Sequence, residues 1–241
     1  MGYREQDPPP RLRELVECRW DHTGPAGPGR ILPDGCMDLI QIDDKIVVAG
    51  PDTTAFVTAG SRDPVQGLRF RPGVLPRLLG VPASELCNTR VDLHELCAIE
   101  EGGSLDELAA KLASAAPRTE TAPWSLPVLR DVTRRLAAGQ SVTATARRVG
   151  WSNRTMQRQC AAVYGYGPAT LRRILRFRHA VGLIGAGISS SAVAAQAGYA
   201  DQPHLYREVR ALAGVSWRQL RQSSSAAKRS TEVPSGSSTV A

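Results

Sequence analysis

The sequence contains no long apolar segment. No run of 18 apolar residues occurs in its 241 residues, and a membrane-spanning helix needs about that length. The first ten residues, MGYREQDPPP, lack the apolar stretch of a secretory signal peptide. We therefore expect no membrane partner and no export, and we expect the protein in the cytoplasm.

Cysteine is scarce, with five residues, an odd number, and no C-x-x-C pair. This usage favours reduced thiols over a disulfide framework. The sequence also lacks a Walker A loop, a G-x-S-x-G motif and an H-E-x-x-H motif. We therefore expect a protein that is not an enzyme, has no catalytic residues and needs no cofactor.

One alternative is a metal- or thiol-responsive sensor. Cys18 with His22, and His94 with Cys97, have spacings that metal ligands use. Cysteine is, however, often buried without a chemical role, and these four residues form no tight cluster in the sequence. The prediction therefore names no metal ligand and keeps the sensor as the alternative function.

Lysine is absent from residues 124–222, and acidic residues are nearly so. This stretch holds 15 Arg against three acidic residues, whereas residues 1–123 hold 13 Lys and Arg against 19 Asp and Glu. The net charge of the whole chain is +7. A half this cationic suggests a polyanion partner, because arginines that neutralise phosphates supply affinity for nucleic acid. The alternative is a basic domain that its charge keeps soluble.

Short β-strands are predicted in the first half of the chain. Residues 1–10 have the composition of a loose arm, and residues 12–20 fit a strand and a helix equally. Short apolar stretches bounded by turn residues are typical of a small β-barrel or sandwich. The strands are expected over residues 30–32, 37–42, 45–49, 55–59 and 65–71.

Helices follow these strands. Ser104 begins the clearest of them, since Glu107 completes a capping box ahead of a helix over 104–116. The polar, proline-bounded segment 117–123 is the predicted linker. From Trp124 the pattern is entirely helical, with helices over 127–138, 142–149, 153–164, 168–184, 190–197 and 201–213.

The stretch 198–210 shows how these helices begin. Asp201 is a good N-cap, because its carboxylate can accept the unpaired amide hydrogens of the first turn. Pro203 falls in that first turn, where a missing N–H costs nothing. Leu205 and Val209 recur at helical spacing and face inward, which leaves the polar side chains of the helix on its other faces.

The same arrangement occurs twice in this half of the chain. In Ala146–Arg158 and in Ala194–Arg207, a small alanine precedes a glycine turn, an aromatic residue follows the glycine, and a Ser or Asp caps the next helix. The two turn glycines, Gly150 and Gly198, are 48 residues apart. Helix, glycine turn and capped helix together are the helix-turn-helix pattern.

Residues 124–222 resemble the DNA-binding domain of AraC/XylS-type bacterial transcription regulators. The resemblance rests on both repeats at the family's spacing and on the Gly-Tyr-x-Asp-Gln-x-His signature that begins at Gly198. It implies two helix-turn-helix units, at about 142–164 and 190–213, joined by a linker helix at about 168–184. Cys160 and Val209 stand where the family usually has Phe, and Trp217 stands where it usually has Pro.

The resemblance also implies which side chains meet DNA. Arg suits guanine and Gln suits adenine, because each can form a bidentate pair with the base edge. The residues carried over as DNA-binding are Asn153, Arg154, Gln157, Arg158, Gln202, His204, Tyr206, Arg207 and Arg210. The residues carried over as phosphate contacts are Arg147, Arg148, Arg172, Arg173 and Arg176. For His204, a local capping role is the alternative to a DNA contact.

The first half is similar to a small N-terminal domain of some regulators of this family. The similarity rests on Leu32-Pro-Asp-Gly35, Gly50-Pro51 and Gly67–Gly73, and it suggests a reduced cupin-like barrel for sensing or dimerisation. The predicted fold class is therefore α+β and multidomain: an N-terminal β-barrel or sandwich with trailing helices, then an all-α double helix-turn-helix domain. The predicted segments are a sensing or dimerisation domain at 1–116, the linker at 117–123, the DNA-binding domain at 124–222 and a disordered tail at 223–241.

The predicted function is a sequence-specific transcription regulator, an activator or a repressor, located with the nucleoid. Double-stranded DNA is its expected partner. RNA polymerase, an unidentified small-molecule effector and a second copy of the chain are candidate further partners. Some DNA-repair methyl acceptors share this DNA-binding fold and use a nucleophilic cysteine. A relative of these proteins that uses a cysteine is a further alternative function, although no cysteine here has the surroundings of that motif.

Overall fold

The computed structural model describes residues 2–23, 29–60, 63–98, 103–115 and 120–223. Strands dominate the first part of the chain and helices the rest. The strands are β1 (Tyr3–Gln6), β2 (Val16–His22), β3 (Gly29–Ile31), β4 (Met37–Ile42), β5 (Lys45–Ala49), β6 (Phe56–Thr58), β7 (Val65–Phe70) and β8 (Arg90–Asp92). The helices are α1 (Leu75–Leu79), α2 (Leu93–Leu96), α3 (Leu105–Ser114), α4 (Leu126–Ala137), α5 (Val142–Arg148), α6 (Asn153–Tyr164), α7 (Pro168–Gly185), α8 (Ser190–Gln196) and α9 (Gln202–Ala213).

Six strands form one antiparallel sheet in the order β1-β2-β7-β4-β5-β8, and β3 pairs with β6 in a separate two-stranded sheet. Within the described residues, β1 and β8 are left as edges, so the large sheet does not close into a barrel. The predicted fold class is confirmed, with a sandwich-like arrangement in place of a closed barrel.

One detail of the strand prediction is wrong. Tyr3–Gln6 is not a loose arm, because it pairs with β2, with Tyr3 opposite His22. The expected strand at 30–32 forms as β3, and its partner is β6. Pairing between strands is not specified by the alternation of residues within one strand.

One apolar core extends from the large sheet into the helical half. Leu39, Leu68 and Phe70 are fully buried on one face of the sheet, and the same core includes Met156 and Val163 of α6. It continues to the middle of α7. The part of the chain that carries β1 to β8, called the strand-rich part below, therefore shares one interior with the helices α4 to α6.

A second, separate core lies at the far end of α7. Phe177 is its largest fully buried side chain, and it packs with residues of α8 and α9 that include Val193, Leu205 and Val209. Leu32, which follows β3, packs against this core from the strand-rich part. Residues on α7 thus belong to two cores, one at each end of the helix.

The other face of the large sheet carries a buried charged cluster. Asp38 accepts a hydrogen bond from the indole Nε1 of Trp20 at 2.9 Å, and Arg69 forms ion pairs with Asp34 at 3.4 Å and Asp38 at 3.6 Å. Asp34 also accepts the backbone N–H of Cys36 at 2.8 Å, which is a turn role. Burial raises the pKa of Asp38 to about 6, and Arg69 only partly opposes that rise.

This pKa predicts that stability falls as the pH rises. The pKa of an unfolded Asp is about 3.9, so between about pH 4 and pH 6 the folded state binds more protons than the unfolded state, and the free energy of unfolding decreases with pH. Asp38→Asn keeps an oxygen for Trp20 but cannot ionise. Relative to this variant, the free energy of unfolding of the wild type should decrease by on the order of 2 kcal/mol from pH 4 to pH 7.

Urea denaturation across this pH range measures the effect. Asp34, whose charge adds to the rise in the pKa of Asp38, is present in both proteins and titrates in both. Plots of the free energy of unfolding against pH that remain parallel for wild type and Asp38→Asn between pH 4 and pH 7 would contradict the prediction.

The helical boundaries follow the local signals. Ser104 and Glu107 form the predicted capping box of α3, and Gly165 and Gly214 end α6 and α9 in the left-handed conformation. Of the predicted linker, residues 117–119 lie outside the described residues, as does the predicted tail from 224 onward. The boundaries between the four predicted segments stay a prediction.

Candidate nucleic-acid interface

The first helix-turn-helix unit is formed by α5 and α6. Ser141 caps α5, accepting the amide of Ala144 at 3.1 Å, and Ser152 caps α6, accepting the amide of Thr155 at 3.1 Å. Gly150 lies between them with φ of 72°, a conformation that glycine adopts without steric cost. The local sequence therefore specifies both the turn and the start of α6.

The second unit, α8 and α9, repeats this geometry. Asp201 caps α9 by accepting the amide of His204 at 2.6 Å, and Gly198 has φ of 72°. The equivalence extends to the turn itself: the N–H of Trp151 donates to Ala146 O at 2.9 Å, and the N–H of Tyr199 donates to Ala194 O at 2.8 Å. The sequence repeat is thus a structural repeat.

Most predicted DNA-binding side chains are exposed on α6 and α9. Gln202 and His204 are half-buried. The exposed residues are Asn153, Arg154, Gln157, Arg158, Tyr206, Arg207 and Arg210. An α-helix that carries such side chains on an open face is the element that enters a major groove.

Four of these side chains also make contacts within the protein. The amide of Asn153 donates to the Thr143 hydroxyl at 3.1 Å, and the side chain of Gln157 lies closely over Gly167. His204 Nδ1 accepts the amide of Ala200 at 3.4 Å. Tyr206 lies against Trp217, with ring centroids 5.7 Å apart. The contact of His204 is a local capping contact.

The predicted phosphate-contacting arginines divide into two groups. Arg147 and Arg148 are exposed at the end of α5, and Arg172 is half-exposed on α7. Arg173 and Arg176 instead form ion pairs with Glu208 of α9. Glu208 is a residue that sequence reasoning missed, although it is one of only three acidic residues in 124–222.

The strand-rich part contacts the first unit mainly through the shared core. Gly73 has φ of 78°, and a Cβ there would overlap Val163, Leu129 and Tyr164 at 2.6 to 2.9 Å. Gly35 similarly lies beside Leu171 and Leu175 of α7. These close approaches leave little space at the boundary between the strand-rich part and the helices α4, α6 and α7, which we call the seam.

Polar contacts extend the seam towards the second unit. Arg178 of α7 forms an ion pair with Glu17 of β2 and donates to the sulfur of Cys36 at 3.5 Å. Further along, the N–H of Ala55 donates to the carbonyl oxygen of Leu212, at the end of α9, at 2.7 Å. The strand-rich part therefore contacts both units and the helix that joins them.

The three buried thiols, those of Cys18, Cys36 and Cys160, have little thiolate character. Burial raises the pKa of Cys18 to about 11 and that of Cys160 to about 12, and it raises the pKa of Cys36 well above the usual value. A thiol that stays protonated is a poor nucleophile and a poor metal ligand. In the part of the chain that the structure describes, the side chains that gather at metal-ligand distances are Asp92, His94 and Glu95, at the surface.

No helix within the described ranges has both the length and the apolar character that crossing a membrane requires.

Comparisons with known proteins agree with this architecture. Residues 4–92 match a family described as a domain of unknown function (DUF6597), and residues 145–223 match a family described as a helix-turn-helix domain. None of the curated proteins matches the sequence.

The solved structures that match this chain include structures of ToxT from Vibrio cholerae. One, from strain O395, has 9% sequence identity and a TM-score of 0.48, and the match covers 93% of this chain and 98% of that chain. A second, at 1.65 Å resolution, has 10% identity and a TM-score of 0.42, covering 92% and 98%.

Proposed function

We propose that the protein is a DNA-binding transcription regulator that recognises a specific duplex sequence with both of its helix-turn-helix units. Its AraC-type helix-turn-helix domain follows a domain of unknown function along the chain. In this proposal α6 and α9 enter two successive major grooves on one face of the DNA. The regulator acts on DNA of the nucleoid, in the cytoplasm, as an activator or a repressor.

The repeated unit is the observation that carries the proposal. Two capped helices with exposed Arg and Gln side chains are joined by α7, which has 18 residues and is therefore about 27 Å long. That length is of the same order as one turn of duplex DNA, about 34 Å. The concentration of arginine in residues 124–222 supports a large phosphate contribution to affinity.

Selection of random duplexes with the purified protein, followed by sequencing, tests the proposal. We expect enrichment of a site with two conserved segments about one helical turn apart. A protein that binds all duplexes equally at physiological salt would overturn it.

Substitution of the recognition arginines is expected to relax sequence preference. Arg158→Ala and Arg207→Ala should each cost about 1–3 kcal/mol of binding free energy and relax the preference at one base position, if each side chain pairs with a guanine. Titrations against the selected site and its single-base variants measure both quantities. Arg4→Ala, which removes an exposed arginine from β1, is the control for loss of one positive charge.

The pattern of loss identifies the contact. A loss of affinity that is uniform across the base variants, with a weaker salt dependence, would assign the arginine to a phosphate instead of a base. Affinity unchanged in both variants would remove α6 and α9 as the reading helices.

The N-terminal domain is proposed to modulate DNA binding. This domain contacts α6 and α7 through residues that include Gly73 and Gly35, and it contacts α9 through Ala55. These contacts support the proposal, because a change in the shape of the domain would act on both units. A small-molecule effector, RNA polymerase and a second copy of the chain are the proposed further partners. A thermal-shift screen of the full chain, followed by DNA titration with each hit, tests the effector: a ligand that raises the Tm without changing DNA affinity would contradict modulation.

A further inference from the structure

We infer that Glu208 is a positioning residue that fixes α9 on α7 and thereby sets the base-pair spacing between the two DNA segments that the chain recognises. This inference rests on the proposed function. Glu208 does not itself face the groove, since only 13% of its side chain is exposed, and it acts through the arginines of α7.

The contact between α9 and α7 is a charged clamp. Arg173 Nε donates to both carboxylate oxygens of Glu208, at 3.0 Å and 2.9 Å, and Arg176 approaches one of them at 3.6 Å. One carboxylate thus serves two guanidinium groups that lie one helical turn apart on α7. These charge-assisted contacts restrict the orientation of the helices as well as their distance, because the guanidinium is planar and rigid.

The clamp extends into the turn of the second unit. The guanidinium carbon of Arg176 lies 4.4 Å from the centroid of the Tyr199 ring, and Tyr199 is buried beneath the turn. The rings of Tyr199 and His204, which lies in the first turn of α9, are nearly perpendicular, with their centroids 5.2 Å apart. A continuous series of contacts therefore runs from α7 through Tyr199 to the start of the recognition helix.

Glu208 is also what keeps two positive charges together at this point. Without it, Arg173 and Arg176 would repel each other beside a half-buried surface. In the described part of the chain, Arg176 Nε has no hydrogen-bond partner, so Glu208 and the Tyr199 ring are the groups that compensate this side chain. Loss of the carboxylate should therefore release α9 from its present angle on α7.

The first unit does not use such a clamp. The corresponding position on α6 is Gln159, which carries no charge, and α6 is instead held by the core that it shares with the strand-rich part. The second unit lies outside that core. Its angle therefore depends on a smaller core, on the Ala55–Leu212 hydrogen bond and on Glu208, and Glu208 is the charged part of that support.

Spacing preference tests the inference. The selected site is compared with versions that have one base pair inserted or removed between the segments, which turns the second segment around the duplex axis. We expect wild type to prefer the native spacing about tenfold or more, and Glu208→Gln to reduce that ratio to about twofold to threefold. Because the removal of a negative charge affects all duplexes alike, it cancels in this ratio.

Two controls separate positioning from general effects. Affinity for a duplex with only the segment read by α6 should change in Glu208→Gln only by the uniform factor that a random duplex of the same length also shows. Glu85→Gln, which removes an exposed acidic residue far from α9 along the chain, should retain the wild-type spacing ratio. A wild-type spacing ratio retained in Glu208→Gln would overturn the inference.

If Glu208→Gln unfolds the second unit, a variant in which the two charged partners are exchanged still tests the inference. The double variant Arg173→Glu/Glu208→Arg has the same charged groups with the partners exchanged. We expect it to recover at least half of the lost spacing preference on the logarithmic scale, and failure to recover any would overturn the inference. If wild type shows no sequence preference at all, the proposed function itself fails, which is a different result.

Discussion

Gly50→Ala should destabilise the protein by more than about 3 kcal/mol, an effect beyond the range of most single substitutions. A Cβ at this position would overlap the carbonyl oxygen of Leu86 and lie 2.6 Å from its carbonyl carbon. The obstacle is backbone, which cannot rotate away as a side chain can. The N–H of Gly50 also donates to Thr89 O at 3.0 Å, so a shift that relieves the overlap would break this bond.

Urea denaturation of wild type and variant measures the loss. Gly182→Ala is the matched control, because nothing lies within 4 Å of a Cβ there and Gly182 is inside α7. Alanine at that position should be neutral or stabilise by about 0.5–1 kcal/mol. Equal midpoints for Gly50→Ala and wild type would show that the segment after β5 can move away from Leu86.

The second large effect is expected from Phe177→Ala. Truncation of a fully buried phenylalanine costs about 3–5 kcal/mol, and Phe177 is the largest fully buried side chain of the core formed by α8, α9 and the end of α7. Because that core is separate from the one around α6, the loss should fall on the second unit. Under the proposed function, the protected DNA should shrink to the segment read by α6.

Hydrogen exchange resolved by segment, together with DNA footprinting, measures this outcome. Amides of α8 and α9 should lose protection, whereas those of α6 should keep most of theirs. Phe56→Ala is the control, since Phe56 is 37% exposed and its ring contacts the guanidinium of Arg90 at 4.3 Å, a contact that is worth about 1 kcal/mol or less at an exposed site. Protection lost equally throughout the chain would contradict the separation of the two cores.

The helical half could be predicted almost completely because its signals are local. Ser152 and Asp201 each bond to an amide three residues away, and Gly165 and Gly214 end their helices by adopting a positive φ. Such interactions depend on a few neighbouring residues, and these residues are adjacent in the sequence. The exposed positions Arg158 and Arg207 follow from helical periodicity for the same reason.

The pairing of distant elements could not be predicted in this way. The sequence Tyr3–Gln6 has no alternation of apolar and polar side chains, and only its pairing with β2 makes it a strand. Glu208 was missed because its partner Arg173 is 35 residues away, and nothing in the local pattern of α9 distinguishes a clamped glutamate from a solvated one. The shared core of the two halves likewise depends on the fit of Gly73 against α6.

Under the proposed function, the hydrogen bond from Ala55 to Leu212 has a consequence for the thermodynamics of DNA binding. Two reading units on a free hinge would lose orientational entropy when both entered their grooves, and that loss would weaken binding. In this protein the strand-rich part contacts the first unit through a shared core, and it contacts the end of the second unit through this hydrogen bond. Much of the relative orientation of the two units is therefore fixed during folding, before DNA binds. Preorganisation of this kind favours tight binding to one arrangement of half-sites and reduces tolerance of all others.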